Sequence, residues 1–121
     1  MQVFAGIAAS AQVVPDGAGP VLSSQIVASI NAMKPEQARN QYRIHMRRRN
    51  IIAAHLNSLW AEERRVKGTI DSSGMAGDMV TVTQQERELY AVRTQIDGLR
   101  AELTKENMIL SLLEQRMNAL H

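Results

Sequence analysis

A chain of 121 residues has room for one small domain. With only Phe4, Tyr42, Trp60 and Tyr90 as aromatics, a lone copy has a thin core and leans on partners for stability. The absence of cysteine excludes disulfides and thiolate metal sites, and no run approaches the roughly 18 apolar residues that a membrane helix needs. The net charge of +2 is uneven: residues 34–68 hold nine basic against three acidic residues, net +6, and residues 69–121 hold five against eight, net −3. The two parts suit each other, or the first suits an acidic partner.

Residues 1–14 are small, apolar and uncharged, and Pro15-Asp-Gly-Ala-Gly-Pro20 separates them from the rest of the chain. Ala9-Ser10-Ala11 has the form of a cleavage site, but the basic first region of a signal peptide is missing, so no secretion signal is expected. Residues 1–20 read as an extended apolar arm and hinge. In this reading Val3, Phe4, Ile7, Val13 and Val14 contact a neighbouring subunit; the alternative is a disordered terminus.

Residues 21–33 hold a short helix, Gln25 to Met33, capped by Ser23 or Ser24, with Leu22, Ile26, Ile30 and Met33 at helical spacing. It is too short to stand alone. Residues 34–121 read as a helical hairpin. Pro35 and Glu36 open the first long helix, expected over about 35–67 and ending at Gly68. Residues 68–82, rich in Gly, Ser and Asp, are expected to form a loop, with Met75, Met79, Val80 and Val82 at its tip. Thr83-Gln-Gln-Glu86 has the form of a capping box and opens the second helix, about 83–120. Gly98 lies inside that helix at a cost of about 1 kcal/mol relative to Ala, and a close backbone approach is one reason to place it there.

The second helix carries a seam spaced alternately three and four: Leu89, Val92, Ile96, Leu99, Leu103, Glu106, Leu110, Leu113, Met117 and Leu120. A parallel homodimer would set Glu106 against its own copy, which is costly in a desolvated seam. An antiparallel hairpin avoids this. If facing residue numbers add to about 155, Ile52, Leu56, Leu59 and Val66 meet apolar partners. Arg49 then faces Glu106 as a register pair, His45 lies one layer further along, and Arg93 can reach Glu63. Ile44, Ile51, Tyr90 and Ile109 fall off the seam, as a second apolar surface for the short helix or for other subunits. The expected fold is therefore all-α: a long antiparallel, coiled-coil-like helical hairpin with a short extra helix and an extended N-terminal arm.

Arg39, Arg43, Arg47 and Arg48 are candidate contacts to an acidic partner or to phosphate, although Tyr42 falls on the apolar face, so that no aromatic interleaves them for base stacking, and no recognised nucleic-acid motif is present. His45, His55 and His121 lack partners at metal-ligand spacing, so neither metal nor cofactor is expected. No nucleophile is paired with a base, so no enzyme is expected. These features point to a structural or assembly subunit that packs through helical seams and its arm into a larger oligomer, such as a virion or a secretion-type machine. The competing reading is a helical protein that binds nucleic acid through its arginines. A third is a coiled-coil adaptor that is stable by itself.

Overall fold

The computed structural model describes residues 22–119. The arm residues Val3, Phe4, Ile7, Val13 and Val14, the Pro/Gly hinge and Leu120 lie outside the described residues. Three helices occur in order: α1 (Ser24–Asn31), α2 (Pro35–Met75) and α3 (Met79–Asn118). The two long helices pack antiparallel as a hairpin, so the protein is all-α. Their contacts divide into two compact units: one from the chain up to Ile51 together with Ala101 onward, the other Ile52–Arg100.

In the first unit the Ser23 hydroxyl caps α1 by accepting the Ile26 amide at 3.2 Å, and Ser23 itself is buried. Ile26 and Ile30, one turn apart, pack with Ala38 of α2 and with Ile109 and Leu113 of α3. Leu22, Met33, Tyr42, Leu112 and Met117 surround them. This cluster explains how an eight-residue helix persists: its stability comes from the buried face. The Arg116 guanidinium donates to the Met33 carbonyl and ties down the connection after α1. Ile109, expected on a surface off the seam, is buried because α1 covers it.

In the second unit Ile52, Leu56, Leu59 and Val66 of α2 are buried, with Val82, Val92 and Ile96 of α3, while Leu89 and Leu99 are half-buried. Two expectations fail here. The loop over 68–82 is helical except for the turn at residues 76–78, and Gly68 lies inside α2. Packing overrides the poor propensity of this stretch: Val66, Ile70 and Ser73 share a face and all three are at least half-buried. Thr69 also returns its hydroxyl to the Arg65 carbonyl, and Thr83 returns its own to Met79, so these hydroxyls do not compete with the helix.

The second failed expectation is the capping box at Thr83, which lies inside α3. The turn is made by Gly77 and Asp78. Gly77 has φ +77, its amide donates to the Gly74 carbonyl at 3.1 Å, and the Asp78 amide donates to the Ser73 carbonyl at 2.8 Å. This pair of bonds is a Schellman motif, which favours glycine in the left-handed region. Asp78 then caps α3, accepting the Thr81 amide at 3.1 Å and the Thr81 hydroxyl at 2.6 Å.

Candidate functional site

The polar centre of the first unit is Glu106, 7 % exposed on α3. It is bonded to His45 of α2, whose Nδ1 lies 2.7 Å from its Oε1 and which is itself 5 % exposed. Arg48 approaches the other carboxylate oxygen at 3.6 Å from a largely exposed position. The expected Arg49–Glu106 register pair is replaced by this arrangement. Arg49 Nε donates instead to Asn107 Oδ1 at 3.2 Å, and its Nη1 to Asn50 Oδ1 at 3.1 Å. The reason is angular: four residues at about 100° each put Arg49 roughly 40° further round α2 than His45. Arg49 is therefore only half-buried, at the flank of the seam. A spacing of seven was the available signal: Ala38, His45, Ile52, Leu59 and Val66 recur at that interval, and all are buried.

The seam residues of α3 are graded in burial. Val92, Ile96, Leu110 and Leu113 are buried, and Leu99, Leu103 and Met117 are half-buried. Val82, Ile26, Ile30, Ala38 and Ile109 are also buried and stood outside the expected seam.

In the second unit charges sit on the rim. Arg93 Nε reaches Glu63 at 2.9 Å, as its position opposite suggested. Arg65 bridges Glu62 at 2.7 Å and Glu88 at 3.1 Å. The Arg65 hydrogen bond holds the Glu62 carboxyl below the usual range, and Glu62 in turn raises Arg65. Exposed pairs of this kind contribute little net stability, because solvent and salt screen them. Arg93–Glu63 and, in the first unit, Arg49–Asn107 both join residues whose numbers add to 156, one from the 155 expected.

The five-arginine cluster of α2 is thus divided in use. Arg48 and Arg49 turn toward α3, whereas Arg39, Arg43 and Arg47 are exposed and have no ion-pair or hydrogen-bond partner among the described residues. Exposed apolar side chains form the other conspicuous surface feature. Ile51 is 70 % exposed and Tyr90 76 %, and Met75, Met79 and Val80 crowd the turn between α2 and α3. An open groove of about 460 Å³ beside that turn is lined by Met79, Val80, Thr83, Gln84 and Arg87. A second, of about 370 Å³, is lined by Leu22, Met108, Ser111 and Leu112 in the first unit. Neither gathers a nucleophile with a base. Among the described residues no three His, Asp or Glu side chains converge as a metal site, and no helix is long and apolar enough to cross a membrane.

The fold defines an all-α helical-hairpin protein with several large apolar side chains exposed among the described residues. Comparison of the chain with protein families, with curated proteins and with solved structures gives no match.

Proposed function

We propose that this chain is a non-enzymatic structural subunit that assembles with copies of itself or with other proteins into a larger complex, of the kind a virion or secretion-type machine contains. The supporting observation is the exposure of large apolar side chains on ordered helices: Met75 at 90 %, Tyr90 at 76 %, Val80 at 71 %. Each leaves apolar area in water that a partner would cover, at about 25 cal/mol per Å². Residues 1–14 add a further apolar, uncharged stretch as the arm of that assembly. Light scattering of the full chain across concentration, beside the chain lacking residues 1–20, tests this reading. A concentration-dependent oligomer that shrinks on the deletion is expected. A monomer of unchanged mass in both would rule out self-assembly and leave only a foreign partner.

A further inference from the structure

The first unit carries eight basic against four acidic residues among those described, net +4, and the second six against seven, net −1. The positive excess therefore resides in one unit. Arg39, Arg43 and Arg47 recur every four residues, so they lie on one side of α2, rising about 6 Å from each to the next. All three are exposed, and none is neutralised by a described residue. Arginines at this spacing repel one another along a helix, and the nearby buried acid, Glu106, takes up Arg48, which is not part of the row. The stripe is left as a row of guanidinium groups facing outward.

From this geometry we infer that Arg39, Arg43 and Arg47 form a binding surface for the phosphate backbone of nucleic acid, read without regard to sequence. Guanidinium groups bond phosphate oxygens in a planar, two-point fashion. A row of them with a regular rise meets a polymer of regular charge. Asn40 and Asn50, both exposed beside the row, add neutral donors of the type that contact phosphate and sugar. The aromatic between them, Tyr42, packs against the core under α1 and offers no face to stack on a base. The surface thus supplies charge and register but no base readout. An acidic protein is the competing occupant, since Ile44, 47 % exposed, and Ile51 flank Arg47 and apolar groups centre protein interfaces; the regular rise of three unneutralised guanidinium groups favours a polymer of regular charge. The inference is independent of the assembly reading: it concerns an exposed face of one unit and holds for a monomer or an oligomer.

The test is fluorescence anisotropy of the full chain with a short mixed-sequence duplex DNA, titrated over a range of salt. Three phosphate contacts predict a slope of log K against log salt of about −2.7, a loss of roughly 40-fold in affinity between about 50 and 200 mM salt. Each single change, Arg39→Gln, Arg43→Gln or Arg47→Gln, lowers the magnitude of the slope by about 1, and the triple variant loses binding. The double variant R64Q/K67Q, which removes exposed charge from the other unit, binds as the parent does. Circular dichroism checks that each variant keeps its helices. No binding at low salt would overturn the inference, as would a triple variant that binds like the parent. So would tighter, stripe-dependent binding of an acidic polyglutamate peptide, which would assign the surface to an acidic protein.

Discussion

Glu106 shows how a single buried carboxylate selects its partner by direction rather than by charge. The nearest strong cation by residue number, Arg49, loses to a histidine one helical turn away because the histidine points into the seam. The consequence is measurable. His45→Leu removes the buried hydrogen bond to Glu106 and should destabilise the protein by about 1–3 kcal/mol in chemical denaturation. Arg49→Leu, which leaves His45 and Arg48 on Glu106, should cost under about 1 kcal/mol. A larger effect at Arg49 than at His45 would show that the register pair is Arg49–Glu106 after all. Asp78 gives a second case. Hydrogen bonds from the Thr81 hydroxyl and amide, and then from the Val80 amide, hold its carboxyl below the usual range. The ionised form is thus the one the fold prefers. Its contribution is present above the ordinary carboxylate value and is lost as pH falls through the depressed one. The variant Asp78→Asn should melt below the parent at neutral pH, and the gap should close in strong acid. A gap that stayed constant into strong acid would mean that the charge of Asp78 does not contribute to the cap.

Glycine separates two kinds of position within the helices. Gly77 occupies the left-handed region and closes α2; Gly98 lies inside α3 with nothing within 4 Å of where a Cβ would stand. The close backbone approach suggested for Gly98 is therefore not made by any described residue. The two glycines should respond to alanine in opposite directions. Gly77→Ala should destabilise by about 1–2 kcal/mol, the cost of the left-handed conformation for an L-residue, and Gly98→Ala should stabilise by up to about 1 kcal/mol. Thermal melts of the two variants beside the parent check both signs. The existence and pairing of the two long helices were legible from the three-and-four spacing of Leu89 to Leu113 and from the apolar face of Ile52 to Val66. Their ends were not. Residues 69–75 read as loop because Ser, Gly and Asp have low helix propensity, yet Ile70 and Ser73 continue the buried face of Val66. The Gly77-Asp78 pair, a helix stop joined directly to a helix start, was the local signal that marked the true turn.

Across the molecule, opposite charges meet at Arg65–Glu88 and Arg48–Glu106 in the sense that the uneven distribution along the chain led one to expect, and in the reverse sense at Arg93–Glu63. Outside that pairing lie, among other groups, the arginine row of the first unit and the exposed apolar side chains Ile51, Tyr90, Met75 and Val80. The sequence by itself determined the class of fold and the antiparallel sense of the hairpin. Periodicity is a local property, and an unpaired Glu106 in a parallel seam would have been too costly. It also determined that α1 cannot stand alone. Only the tertiary structure decided which arginine is spent on Glu106 and which are left outward, and that Ile109 belongs to the core beneath α1. It also decided that the Gly- and Ser-rich stretch is helical. These depend on side-chain direction and on burial by residues distant in the chain, where a turn of about 40° round one helix is enough to exchange one partner for another.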